Sequence, residues 1–152
     1  MKRPILAGLC FLAAVLTTPL FAAESGSQAL DNAFVKAVKA GDIEAVVGLY
    51  ASDATLYPPG EMAAKGREAI RAVWGGFLSA NTVTEARLYE TAYRTSGDLS
   101  TGWGRFSMTV QPKAGGAPFT LEGRFTDVAV RKDGKWLYVA DHASAPLPPP
   151  PK

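Results

Sequence analysis

The stretch FTLEGRFTDVAVRKDGKWLYVADHA, residues 119–143, decides the fold. Two extended runs, 119–132 and 135–143, flank Asp133-Gly134, a dipeptide that supplies the positive backbone angles of a tight two-residue turn. Upstream, 83–95 and 99–110 are a second pair of β runs separated by Ser96-Gly97-Asp98. The segment 112–118, rich in proline and glycine, makes a longer hairpin loop between the pairs. The carboxy-terminal half therefore reads as an antiparallel meander.

Working further back, the periodicity changes to helical. Leu30, Phe34 and Val38 recur every four residues, with Ser27 placed to cap the helix and Gly41 to end it. Asp42 caps a second helix, on which Ile43, Val46, Val47 and Tyr50 share one face. Residues 53–57 form a brief strand, closed by Pro58-Pro59-Gly60. A third helix opens near Gly66 and carries Ile70, Val73, Trp74, Phe77 and Leu78 on one side. Gly75-Gly76 inside it costs roughly 1 kcal/mol per glycine relative to alanine, an expense expected to permit close approach of another element. Helices followed by a meander imply an α+β fold: three N-terminal helices packed on a curved, mostly antiparallel sheet, a cone-shaped half-barrel whose open end is a pocket.

The amino terminus is read as a cleavable signal peptide spanning 1–23. Lys2 and Arg3 precede an uncharged apolar run, residues 5–16, within the roughly 7–15 residues of a signal core and short of the ~20 that span a bilayer. Ala22-Ala23 offers the cleavage site, which makes the product periplasmic or secreted and free of the membrane. Cys10 follows Leu9 where a lipidation motif needs a small residue, so it is not a lipid anchor. Removing 23 of the 152 residues leaves 129, and 14 basic residues then face 14 acidic ones. A neutral chain argues against a nucleic-acid partner. The only cysteine leaves with the signal, and one histidine remains, so neither a disulfide nor a metal centre is expected. No phosphate-cradling loop or nucleophile elbow is present, and no cofactor is expected. The domain covers 24–145, and 146–152 is a proline-rich tail expected to be disordered.

Four segments together resemble the nuclear-transport-factor-two-like superfamily: 41–55 (GDIEAVVGLYASDAT), 58–70 (PPG…KGREAI), 104–109 (GRFSMT) and 131–144 (RKDGKW…DHAS). The resemblance is nearest to its SnoaL-like branch, and the last hairpin also resembles the association domain of calcium/calmodulin-dependent kinase II. It implies a cystatin-type α+β cone, usually a homodimer, with a hydrophobic pocket. It implies no single activity, because the superfamily holds isomerases, cyclases, hydrolases and noncatalytic modules. The ketosteroid isomerases of this fold use an Asp/Tyr/Asp constellation. Those positions fall here on Leu56-Tyr57-Pro58-Pro59, which has no carboxylate, on Phe34, and on Thr126. That mechanism is not expected.

Asp141 and His142 are the candidate catalytic pair, Asp141 as acid or base and His142 as a proton shuttle. Strand alternation allows one of them at most to face the pocket. Leu137 and Val139 share a parity with Asp141, and Trp136 and Tyr138 share one with His142. The alternative is that both anchor the last strand. Tyr57, Trp74, Phe77, Tyr89 and Trp103 are candidate pocket walls, or else plain core. Arg105, Arg124 and Thr126 are candidate polar lining. Arg105 aligns with an arginine lining the pocket of the kinase association domain, although the apolar parity of Phe106, Met108 and Val110 points it the other way. Three functions follow: binding of a small apolar or amphipathic molecule; an isomerase, dehydratase or hydrolase acting through Asp141; or an interaction module using a Trp136/Tyr138 face.

Overall fold

The computed structural model describes residues 26–146. Residues 1–25, which include the expected signal peptide, and residues 147–152 of the proline-rich tail lie outside the described residues. The chain runs α1 (Ser27–Ala40), α2 (Ile43–Gly48), β1 (Tyr50–Tyr57), β2 (Ala64–Lys65), α3 (Arg67–Ala80), β3 (Asn81–Ser96), β4 (Leu99–Pro112), β5 (Phe119–Lys132) and β6 (Lys135–Ser144). The fold is α+β, as expected. Two helices open the described chain, whereas the third follows two strands.

The strands form one curved, unclosed sheet in the order β2-β1-β6-β5-β4-β3. Every pairing is antiparallel except β1 with β6. The Asp133-Gly134 hairpin forms as read, with φ of 51° and 76°, so β5 and β6 pair closely. On β4, Phe106, Met108 and Val110 point into the core, where α1 and α3 cover the sheet. Val38, Val46, Ile70 and Val110 are fully buried there, each worth about 1.5–3 kcal/mol of apolar burial.

Three local readings are corrected. Ser27 does not cap α1: it is the first helical residue, and its amide donates to Ser100 Oγ at 2.9 Å. The preceding residue must be glycine, because Gly26 has φ of 68° and a Cβ there would lie 2.3 Å from Ser100 Oγ. Tyr50 does not belong to α2, which ends at Gly48; it begins β1. Finally, Gly75 and Gly76 permit no close approach, since added Cβ atoms would meet nothing within 4 Å. Asp42 caps α2 as expected, its Oδ1 accepting from the Ala45 amide at 2.9 Å.

Candidate functional site

Between the helices and the inner face of the sheet lies a cavity of about 200 Å³. Its wall is overwhelmingly apolar. Phe34 of α1 meets Trp74 of α3 edge-on at 5.1 Å, and Trp74 meets Phe77 at 6.0 Å, so three aromatic rings form one side. Phe106 and Met108 of β4 form the other. Into this surface project two carboxyl groups, Asp31 from α1 and Asp141 from β6, with Tyr138 beside them and Glu122 also on the lining.

A break in strand alternation brings the acids together with tyrosines. Ala129 pairs with Tyr138 but Val128 pairs with Ala140, so Val139 is an extra residue in β6. That bulge reverses the parity between Tyr138 and Asp141, and both reach the cavity. The expectation that Tyr138 shares the face of His142 is therefore wrong. Tyr138 is buried and donates to Asp31 Oδ1 at 2.6 Å, so a free Trp136/Tyr138 interaction face does not exist.

Tyr93 donates to the other oxygen of Asp31 at 3.0 Å, and Tyr50 donates to Asp141 Oδ2 at 2.5 Å. Tyr50 is held from behind by Arg67, whose Nε and Nη2 donate to its carbonyl at 3.2 and 2.6 Å. The Trp74 indole N–H is buried near the Tyr50 hydroxyl without closing a hydrogen bond. Behind this pair of acids sits a third, Asp127 of β5, itself buried. The Ser27 hydroxyl and the Gly102 amide lie near enough to favour its charge without closing full hydrogen bonds to its side chain.

Among the described residues no basic side chain lines the cavity, and the acids respond accordingly. Burial, then the charge of Asp127, pushes Asp31 up from 3.8 to about 7, against the opposing pull of its two tyrosine bonds. Burial raises Asp141 to about 6 despite the Tyr50 bond. Burial likewise raises Asp127 to about 6, opposed by Ser27 and reinforced by Asp141. The same burial and the neighbouring carboxylates push the Tyr50, Tyr93 and Tyr138 hydroxyls well up, so these remain donors. Two carboxyls thus titrate near neutrality inside an apolar cavity. Such groups can donate or accept a proton at a bound molecule. They do not converge as metal ligands: among the described residues no group of three His, Cys, Asp or Glu could hold a metal ion.

The residues singled out in the sequence divide between two places. Trp74, Phe77 and Asp141 line the cavity. His142 is exposed and meets only the edge of Tyr57 there, at 6.0 Å; Tyr57 is itself 45% exposed and lies outside the cavity lining. Trp103, Arg105, Arg124 and Thr126 line a separate open depression on the outer face of the sheet, with Glu90. Arg105 lies 3.7 Å from Glu90, and Tyr89 sits under Arg87 and Arg105 at 4.9 and 5.2 Å. The apolar parity of β4 therefore told correctly on Arg105. Sequence reasoning missed Phe34, Tyr50, Tyr93 and Tyr138 and two of the buried acids, and each of those acids carried a signal. Asp31 stands three before Phe34 and seven before Val38, on the apolar stripe of α1. Asp127 alternates with Phe125 and Ala129 on the buried parity of β5.

The family model for SnoaL-like domains matches residues 32–139, from within α1 to the middle of β6. The chain belongs to the SnoaL-like domain family. Solved structures agree on the fold. The SnoaL-like domain superposes on a protein named as a putative calcium/calmodulin dependent protein kinase II association domain, from Xanthomonas campestris, with a TM-score of 0.69 and 27% identity, over 80% of this chain and 85% of that one. A ketosteroid isomerase-like protein from Erwinia carotovora atroseptica gives 0.68 at 23% identity, over 79% and 93%. A protein named as a putative scytalone dehydratase, from Novosphingobium aromaticivorans, gives 0.69 at 12% identity, over 78% and 80%. The resemblance to the nuclear-transport-factor-two-like fold is thereby borne out. No curated protein matches the sequence of this SnoaL-like domain.

Proposed function

We propose that this SnoaL-like domain is an exported binding protein for a small, largely apolar molecule, held in a cone-shaped pocket with its polar group against Asp31 and Asp141. One observation carries the reading: an apolar cavity of about 200 Å³ with two carboxyls on its wall. Apolar cavities of ~150 Å³ already accept benzene, so one or two rings is the fitting size. The domain acts as a homodimer, for which Trp103 and Phe119, 39% and 42% exposed, supply apolar contact area.

Titration of the purified protein with 1-naphthalenemethanol, followed by calorimetry, tests the reading. Saturable binding near one molecule per chain is expected. Trp74→Ala is expected to weaken it while Tyr57→Ala leaves it unchanged. Absence of saturable binding, or equal effects of the two substitutions, overturns the reading.

A second reading is favoured by the near-neutral titration of Asp31 and Asp141. Here the pocket moves a proton on its ligand, as an isomerase or dehydratase does, with Asp141 as base and the Tyr50 hydroxyl steadying its charge. Accelerated deuterium uptake beside the carbonyl of 1-indanone, abolished by Asp141→Asn, is the expected outcome. An unchanged rate in that variant rules Asp141 out as the base.

A further inference from the structure

The charged groups on the cavity wall are all of one sign. Asp31 and Asp141 line it, with Asp127 close to Asp31; Glu122, on the rim, is exposed and shares the strand parity of Arg124. The Arg67 guanidinium is turned to the Tyr50 carbonyl, and Arg105 lies on the outer face beside Glu90. A buried carboxylate without a cationic partner is costly, and here tyrosine hydroxyls compensate Asp31 and Asp141. A carboxylate offers about four acceptor positions; the tyrosines take two on Asp31 and one on Asp141. Acceptor capacity is therefore left on both acids, and a positive charge is what they lack.

The aromatic part of the lining supplies a second observation. Phe34, Trp74 and Phe77 are packed edge to face, in contact with the same space. Aromatic rings attract cations through their negative faces, tryptophan most strongly. Carboxylates and aromatic rings lining one space are together complementary to a single kind of polar group, an ammonium on an apolar skeleton.

We propose that the ligand of this cavity is a small amine, with one or two rings or the equivalent aliphatic bulk, whose protonated nitrogen donates to Asp141 and Asp31 while its skeleton lies against Phe34, Trp74 and Phe77. The inference rests on the binding reading above and adds the charge of the ligand. A carboxylic acid of the same shape is excluded, because it brings a further negative charge into a cavity with no cation to meet it. A neutral alcohol or ketone fits the apolar wall but leaves the acids unpaired.

The test uses three probes on one skeleton: 1-naphthylmethylamine, 1-naphthalenemethanol and 1-naphthoate, titrated into the purified wild-type protein at pH 8, where the carboxyls are mostly ionised. The amine is expected to bind at least about tenfold more tightly than the alcohol, as a charged hydrogen bond requires, and the naphthoate most weakly. Asp141→Asn and, separately, Asp31→Asn are expected to remove most of the amine's advantage while reducing alcohol binding far less. The wild-type comparison decides even where a variant fails to fold. An alcohol that binds as well as the amine, or naphthoate that binds as well as either, overturns the amine assignment and leaves the apolar pocket standing. Failure of all three probes overturns the pocket reading and the assignment with it.

Discussion

Replacing Asp31 by asparagine should make the protein more stable at neutral pH relative to wild type, and the reason is its burial. Asp31 is 4% exposed, and its carboxyl is raised from 3.8 to about 7. Below pH 3.8 folded and unfolded chains both hold this proton, and the group takes nothing from stability. Between 3.8 and about 7 the unfolded chain releases the proton while the folded chain keeps it. The folded state then binds more protons, so stability falls as pH rises, and the loss is complete above about 7. A shift of this size at 1.36 kcal/mol per unit amounts to about 4 kcal/mol. Asparagine cannot titrate, yet its carbonyl still accepts from Tyr138 or Tyr93. Urea denaturation of both proteins at pH 4, 5, 6, 7 and 8 reads the effect, because every group that does not interact with Asp31 cancels; the coupling to Asp127 and Asp141 is part of what is measured. The stability difference should move by about 4 kcal/mol in favour of Asp31→Asn between pH 4 and pH 8. A difference that stays constant with pH would refute the reasoning, since it would mean that Asp31 titrates alike in the folded and unfolded chains.

Tyr138→Phe keeps the ring but removes the donor to Asp31 Oδ1; it should cost about 1.5–3 kcal/mol at pH 8, where the lost bond is to an ion, and less at pH 4, as read by the same denaturation series. Gly26→Ala forces a positive φ on alanine and drives its Cβ into Ser100 Oγ; a loss of about 1–3 kcal/mol is expected, with a lowered thermal midpoint. Gly76→Ala should do the opposite. Gly76 is exposed, mid-helix and without neighbours, so the gain should be about 0.5–1 kcal/mol, seen as a rise in thermal midpoint.

The strand-rich half was legible because its signals are local. The Asp133-Gly134 turn sets β5 against β6 through two residues, and the alternation of Phe106, Met108 and Val110 shows which side of β4 is inside. The aromatic side of the cavity was legible for the same reason: Trp74 and Phe77 share a helical face. The outer-face residues misled, because Trp103, Arg105, Arg124 and Thr126 have the residue types of a pocket but the wrong strand parity. Periodicity also carried α2 one turn too far, into Tyr50, since a buried residue after a helix looks like one more turn of it.

The acid–tyrosine arrangement belongs to a different order of information. Residue spacing alone determines that this chain makes helices over a meander, with an apolar side facing inward. It also marks Asp141 as a residue of the last strand. Whether Asp141 faces the cavity together with Tyr138 depends on a single extra residue, Val139, in the pairing of β6 with β5. A bulge of that kind is settled by competition among several strand pairings at once, and it reverses every side chain beyond it. The meeting of Asp31 with Tyr93 and Tyr138, residues 62 and 107 positions away, likewise exists only once α1 is laid across the sheet. Local patterns set which elements form; only their packing sets which polar groups share a dry space, and there lie the raised proton affinities of Asp31 and Asp141.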